Sequence, residues 1–402
     1  MSNPASRPEI VIVGAGPAGM VLAYQLASNG IPVRVLERHP DFEREFRGEL
    51  IQPAVLGPLE KLGILPKLAE RKLANPDIER RLFVGPTRRV LVPGGRERGS
   101  LINQAGFLQY LHEQCSRFPH YRLDLGTTVV GVEQAEGRVV GMKVRRQGAE
   151  ETVRGDAFIV CSGRNTALRK EVGVEADTYQ VPADVLWLRL DFSDAPELLP
   201  TSVDVHMFGK GVVAVYFQTT RSRLQVAYSA PGDLSGLKKD VSELKRKLLP
   251  TVPARMRAHV ERKLNEQTES QVLRVTVDHV KTWFVPGLMF LGDAAHTMSP
   301  AGGIGLNLAI RDSFVAANHL ISAIEAGGPA NEAVFQRVEA ERRPEIEQIQ
   351  ANQLRIHRAV MAPIFVEHLM FTVLGTVVKL KKLDQRPGGL YPVEPRYGVS
   401  VV

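Results

Sequence analysis

Two glycine-bearing segments, one near each end of the chain, constrain its fold more than any other feature. The first reads Ile10-Val11-Ile12-Val13-Gly14-Ala15-Gly16-Pro17-Ala18-Gly19. Its apolar run suits a parallel strand buried on both faces. The glycines follow in G-x-G-x-x-G spacing. Gly14 permits the tight turn, Gly16 lets a pyrophosphate approach the backbone, and Gly19 lets a helix pack on the strand. That helix is expected from Pro17 to about Asn29, with Ala18, Leu22 and Leu26 on one face and Gly30 just past its end. The next strand, 33–36, ends in Glu37, where a carboxylate accepts from adenosine ribose hydroxyls. Arg38 beside it is a further candidate contact. Strand, glycines, helix, strand and acid in this order point to a dinucleotide.

The second segment reads Leu288-Met289-Phe290-Leu291-Gly292-Asp293-Ala294-Ala295-His296. An Asp at a strand end beside a nucleotide can hydrogen-bond a sugar or ribityl hydroxyl. Pro300, Gly302, Gly303 and Gly305 then make a loop with little side chain, and Leu306, Asn307, Leu308 and Ile310 lead into a helix. A glycine-rich helix N-terminus offers free N–H groups and partial positive charge. That suits the pyrimidine end of a flavin, which becomes anionic on reduction. The two segments together turn a dinucleotide into FAD.

The chain has 402 residues, enough for one large or two intimate domains, and 44% of them are hydrophobic. The formal net charge is +7. Its basic residues are spread and form no stripe, so no nucleic-acid partner is expected, and the surface charge favours an anionic nucleotide cosubstrate. Cys115 and Cys161 make no redox or metal spacing, which fits a reduced, cytoplasmic setting. The polar first residues run straight into a strand, so no signal peptide is expected.

These residues resemble the single-component flavin-dependent aromatic hydroxylases, which share the fold of p-hydroxybenzoate hydroxylase, over about residues 8–350. Arg47 in Arg47-Gly48-Glu49-Leu50-Ile51-Gln52-Pro53 stands where that family has an arginine on FAD. The same run is similar to squalene epoxidase and the ubiquinone-biosynthesis hydroxylases. Gln104 matches a polar position that touches the cofactor's phosphate or ribityl chain. Cys161-Ser162-Gly163-Arg164-Asn165-Thr166-Ala167-Leu168-Arg169 resembles the family's D-G-x-x-S-x-x-R element, with Ser162 in place of Asp and Thr166 in place of Ser. That Asp is associated with both FAD and NAD(P)H, so its loss bears on the nicotinamide nucleotide. Arg169 is retained; by itself it reads equally as a solvated arginine at a helix start.

The expected architecture is α/β: a Rossmann-like FAD-binding domain with an inserted β-meander, a β-sheet-rich substrate domain, and C-terminal helices. The FAD-binding domain takes 1–178 and 286–358, the substrate sheet 179–285, and an apolar helix and tail 359–402. The meander is read as strands at 129–132, 139–144 and 152–160, with a turn at Glu136-Gly137-Arg138. The sheet is read at 185–192, 203–208, 212–217, 224–229 and 272–277, with turns at Lys210-Gly211 and Arg221 and a helix over 237–249. Residues 308–326 and 331–358 read as helices, the second a polar packing or dimer helix. Residues 359–378 are apolar but interrupted by Pro363, Glu367 and His368, and are followed by Lys379, Lys381 and Lys382. The segment reads as a buried lid or dimer helix, as a peripheral membrane contact over 359–382, or as a span; it lacks ~18 uninterrupted apolar residues. Monomer and homodimer both remain open.

The resemblance implies that NADH or NADPH reduces FAD, O2 adds at C4a, and the hydroperoxide passes one oxygen to an apolar or aromatic small molecule. The cofactor carries that chemistry, so no triad or metal set is expected. The loop at Pro300, Gly302 and Gly303 should border the flavin ring. His296 reads best as a structural anchor of that loop. His206, Tyr216 and Tyr228 lie on sheet strands and read first as core or surface residues; one could instead face the cavity and deprotonate a phenol. Two other readings share the cofactor motifs: a double-bond reductase of the geranylgeranyl-reductase type, and a non-catalytic flavin-binding protein. A halogenase fits less well, because Trp187 and Trp283 stand alone.

Overall fold

Ile10–Val13 is an inner strand of a six-stranded sheet ordered Phe284–Val285, Leu288–Phe290, Ala157–Val160, Ile10–Val13, Val33–Leu36, Tyr121–Asp124. All neighbours run parallel except the first pair. The computed structural model describes residues 7–43, 49–85, 87–90, 98–164, 166–219 and 222–380. Arg47, Gly48, Asn165, Arg221, Lys381 and Lys382 therefore lie outside the described residues.

The sheet is buried on both sides. The helices Pro17–Ser28, Gln104–Cys115 and Gly305–Glu325 pack together over it. A three-stranded antiparallel sheet, Thr127–Ala135, Arg138–Arg146 and Ala149–Arg154, contributes Val132, Val139, Met142 and Val153 to the same core. The turn between the first two of these strands puts Glu136 and Gly137 at φ +49° and +76°, the paired positive angles of a tight hairpin. The single strand expected over 152–160 is instead two. Gly155 breaks it where an added Cβ would lie 2.6 Å from the Val11 side chain, and Asp156 ties the crossing by accepting the Glu9 N–H at 2.7 Å.

The second sheet has ten strands, built around the long antiparallel pair Ala176–Asp191 and Glu269–Val280. Alternation along its strands sends side chains to two different surroundings. One face gathers Val203, Val205, Val215, Phe217 and Trp187 against Ile78, Leu101 and Leu50, and continues through Val185, Val275 and Val277 to Leu354. We call this face the roof. The other face carries Tyr216, Tyr228, Leu186 and Leu188 onto the helices Val241–Leu248 and Ala254–Lys263.

Two helices close the described chain. Glu332–Val360 packs along Gly305–Glu325, and Ile364–Leu380 lies over the outer end of the roof, where Phe371 meets Val84, Val90 and Met207. No described helix is long and apolar enough to cross a membrane.

Candidate functional site

Three loops leave the C-terminal ends of three adjacent parallel strands: Gly14–Gly19, Cys161–Gly163 and Gly292–Asp293. Ligands of open α/β sheets bind at such carboxyl ends. The loops touch. A Cβ on Gly14, whose φ is +105°, would stand 2.7 Å from the Cys161 carbonyl oxygen and 2.9 Å from the Ser162 Cα. The mid-chain element that carries Ser162 thus abuts the dinucleotide loop.

The glycines of the first loop answer different constraints. Gly19 is required by the protein itself, since its Cβ would lie 2.0 Å from the Gly14 carbonyl oxygen. Gly16 has an ordinary extended backbone, φ −76° and ψ −178°, and its Cβ would meet nothing within 4 Å. The space beside Gly16 is open, as a pyrophosphate approaching the loop requires. Pro17 starts the helix and Ala18 is buried under it. Glu37, only 6% exposed, accepts the Ala15 N–H at 2.8 Å through Oε2 and the His39 N–H at 2.9 Å through Oε1. Its carboxylate is held at the loop, where an adenosine ribose would reach it. Arg38 is exposed and bonds His39. Gln104 is half-buried in the first turn of a helix capped by Asn103, whose side chain accepts the Gly106 N–H at 2.8 Å.

Asp293 sits in a single 3-10 turn, Gly292–Ala294, at the end of the second signature strand. Its Oδ2 lies 4.0 Å from Arg164 Nε, and its Oδ1 would be 3.8 Å from a Cβ on Gly305. Asp293 therefore faces the N-terminus of Gly305–Glu325, where Gly305, Leu306 and Asn307 provide the first turn. Pro300 precedes Gly302 and Gly303, at φ +83° and +62°. Gln52 Nε2 donates to the carbonyls of Gly302 at 2.7 Å and Gly303 at 3.3 Å. Asn307 is fully buried. Its Oδ1 accepts the Gln52 N–H at 2.7 Å, and its Nδ2 donates to the carbonyls of Leu50 at 2.9 Å and Gly303 at 3.1 Å. The Asn307 side chain thus braces the loop.

Arg169 is not a solvated arginine. Its guanidinium pairs in bidentate fashion with Asp278, at 2.9 and 3.1 Å, and donates to the carbonyls of Ala294 at 2.7 Å and Asp293 at 3.2 Å. Burial resists the charge on Asp278, but Arg169 and the Thr297 N–H hold its carboxyl below the usual range. Arg169 and Asp278 thereby clamp the Asp293 turn to the roof sheet.

His296 is buried, with Nε2 2.7 Å from Asp312 Oδ2. The same oxygen accepts the Gly292 N–H at 3.0 Å. Asp312 Oδ1 accepts from Arg342 at 2.8 Å, Arg342 pairs with Glu345, and Glu345 accepts from Arg311 at 2.8 Å. Every side chain in this chain of contacts is at most 1% exposed. Burial opposes ionisation of Asp312, yet His296 and Arg342 outweigh it and depress its pKa. His296 is an anchor of the turn, as the sequence suggests.

The candidate phenol bases are on the wrong side. Tyr216 and Tyr228 face the helices behind the roof, and burial raises both phenols. His206 shares their face, stacked on Phe83 at 4.4 Å with Nδ1 3.1 Å from the Gly85 carbonyl. The opposite, roof face is built instead from Leu50, Trp187, Val205, Val215 and Phe217. Sequence reading missed Gln52, Asp312, Arg342 and Glu345. Only Gln52 had a local signal, its place beside Arg47.

Loops of this kind at the carboxyl end of a parallel sheet, with an aspartate at a second strand end, define a dinucleotide-binding flavoprotein with an apolar roof. The family model described as "FAD binding domain" matches residues 7–353, and the chain belongs to that family. Among curated relatives, 6-methylpretetramide 4-monooxygenase of Streptomyces rimosus is 30% identical over 89% of this chain and 85% of its own length. A 3-(3-hydroxy-phenyl)propionate/3-hydroxycinnamic acid hydroxylase of Mycobacterium sp. is 28% identical over 83% of this chain. Squalene monooxygenase 1,2 of Brassica napus is 26% identical over 77%. The chain spans 57% and 60% of the length of these last two. In fold it is similar to p-nitrophenol 4-monooxygenase PnpA of Pseudomonas putida, with a TM-score of 0.78 at 18% identity over 94% of this chain and 98% of that one. PqsL of P. aeruginosa in complex with 2-aminobenzoylacetate also gives 0.78, at 18% identity over 92% and 99%. The chain is a flavin-dependent monooxygenase of this family.

Proposed function

We propose that the protein uses NADH or NADPH and O2 to hydroxylate or epoxidise an apolar small molecule of the aromatic, polyketide, quinone or terpenoid kind. The observation that supports this reading is an apolar sheet face whose Leu50 and Leu354 join it to the residues holding the Pro300 loop, beside the converging glycine loops. FAD, when bound, would accept a hydride and activate O2, and the remaining tasks fall to the chain. Glu37 and Arg38 would hold the adenosine ribose, and the backbone of Gly14, Gly16, Pro17, Ala18 and Gly19 the pyrophosphate. Gln104, Gly292 and Asp293 would hold the ribityl chain. Pro300, Gly303, Gly305, Leu306 and Asn307 would form the wall at the ring, with backbone N–H groups aimed where negative charge gathers.

The roof's Val205, Val215, Phe217 and Trp187 exclude water and accept a flat or branched hydrocarbon surface. The names of the relatives mention 6-methylpretetramide, 3-(3-hydroxy-phenyl)propionate or 3-hydroxycinnamic acid, and squalene. A large apolar substrate suits a roof of valines, leucines and two aromatics. The test is to reconstitute the protein with FAD and screen aromatic and isoprenoid compounds for stimulated NAD(P)H oxidation with coupled product detection. Stimulation with an oxygenated product supports the reading. Turnover under anaerobiosis, with a reduced double bond, would replace it with the reductase.

The C-terminal helix carries an outward stripe of Phe365, Leu369, Val373 and Leu380, 56–78% exposed, with exposed Lys379 on the same helix and exposed Arg88 bonded to its Thr372. We infer a contact between this stripe and an anionic membrane surface, close to the roof's outer end. Co-sedimentation with anionic but not neutral vesicles would support it. A homodimer with no vesicle binding would assign the stripe to a second copy instead.

A further inference from the structure

The helix Glu332–Val360 reaches the Pro300 loop with one polar face. Gln350, Gln353 and His357 lie along that face at helical spacing. Gln353 is 1% exposed. Its Oε1 accepts the Ser299 N–H at 3.2 Å, and its Nε2 donates to the carbonyls of Ser299 at 2.9 Å and Ala301 at 2.8 Å. Gln350 Nε2 donates to the carbonyls of Asp278 at 2.8 Å and Thr297 at 3.2 Å. His357 Nε2 lies 2.5 Å from Ser299 Oγ, and that oxygen accepts the Ala301 N–H at 3.1 Å. The Ser299 hydroxyl proton is therefore free to go to the imidazole, which burial keeps toward its neutral form. From the opposite side, Gln52 takes the carbonyls of Gly302 and Gly303. The loop is gripped on both sides.

Satisfying buried carbonyls would alone explain one glutamine. Two further contacts of the same helix give the grip a direction. Arg342 and Glu345 secure Asp312, which holds the Gly292 N–H, so one helix braces both the Asp293 turn and the Pro300 loop. Leu354, adjacent to Gln353, packs on the roof beside Val181, Val185 and Val275. One helical turn therefore fixes the distance between roof and loop.

We propose that Gln353, with Ser299 and His357, is a positioning element that sets the Pro300–Gly303 loop against the roof and so decides whether activated oxygen reaches the substrate or escapes as hydrogen peroxide. The inference rests on the monooxygenase reading above. In the coupled reaction NAD(P)H, a proton, O2 and R–H give NAD(P)+, R–OH and water. When uncoupled, NAD(P)H, a proton and O2 give NAD(P)+ and H2O2. Both balance, and they differ only in where the oxygen atom goes.

The test compares wild type with Gln353→Met, which keeps the volume and loses the hydrogen bonds, and with Ser299→Ala, which leaves the helix packing intact. Three quantities are read: amide exchange of residues 298–303 in FAD-free protein, the visible absorption of bound FAD, and peroxide formed per NAD(P)H. Both variants should exchange faster in this segment, shift the flavin bands, and lose about tenfold or more in product per NAD(P)H. Wild-type exchange, absorption and peroxide in both variants would overturn the proposal. If wild type itself oxygenates nothing, the functional reading fails, and exchange with absorption still decides whether Gln353 holds the loop.

Discussion

Gly292 donates its backbone N–H to Asp312 at 3.0 Å, so the turn that carries Asp293 is fixed from a helix rather than from its own strand. Asp312 is fully buried between His296 and Arg342. Asp312→Ala would leave Arg342 with part of its charge uncompensated in the interior. We expect a loss of about 3–5 kcal/mol in stability and of FAD retention together. Chemical denaturation of the FAD-free protein checks the first and flavin content the second. A stable variant that binds FAD normally would contradict this.

Gly16 and Gly19 should separate binding from folding. Gly19→Ala drives a Cβ to 2.0 Å from the Gly14 carbonyl oxygen. It should cost about 1–3 kcal/mol or more in the FAD-free protein. Gly16→Ala meets nothing within 4 Å, so the FAD-free melting temperature should hold. Its FAD affinity should fall by about tenfold, the equivalent of about 1.4 kcal/mol of crowding against the cofactor. Flavin fluorescence titration measures the affinity. Equal affinity in Gly16→Ala and wild type would remove the pyrophosphate from this loop.

Tyr216 hydroxyl bonds Thr251 at 2.8 Å behind the roof. Tyr216→Phe should lower stability by about 1 kcal/mol and leave the substrate-stimulated rate of NAD(P)H oxidation unchanged. A large loss of that rate at unchanged stability would place the phenol in the chemistry after all.

The contrast between these residues shows what the sequence could carry. The glycine loops, the acid at Glu37 and the strand end at Asp293 were legible because each lies within a short stretch of chain. Arg169 with Asp278, and Gly292 with Asp312, are pairings between distant segments, and no spacing announces them. Which way the tyrosines face was open for another reason. Alternation says that Tyr216 and Val215 face opposite ways, but not which way is inward when both faces are apolar and covered. The helix Glu332–Val360 was legible as a polar packing or dimer helix, but not what it packs on, because its glutamines pair with backbone, which composition does not reveal.

Acid should destabilise the FAD-free protein well before its carboxylates titrate. Burial lowers the pKa of His112, His206, His279 and His357 below the ordinary value of 6.5. The unfolded chain therefore binds more protons than the folded one as pH falls through that value. Their contribution is fully present above it and declines below it. Asp278 and Asp312, with depressed carboxyls, keep their contribution until pH falls below the ordinary 3.8. The melting temperature should fall from neutral pH to about pH 5.5. A flat or rising profile over that range would contradict the buried-histidine account.

The central claim is that this chain inserts an oxygen atom from O2 into an apolar substrate held between the roof and the Pro300 loop. The most direct measurement is the mass of the product formed by the FAD-reconstituted protein with NAD(P)H under oxygen-18 gas. One heavy oxygen atom is expected in the product. An unlabelled product, or the same product formed without O2, would contradict it.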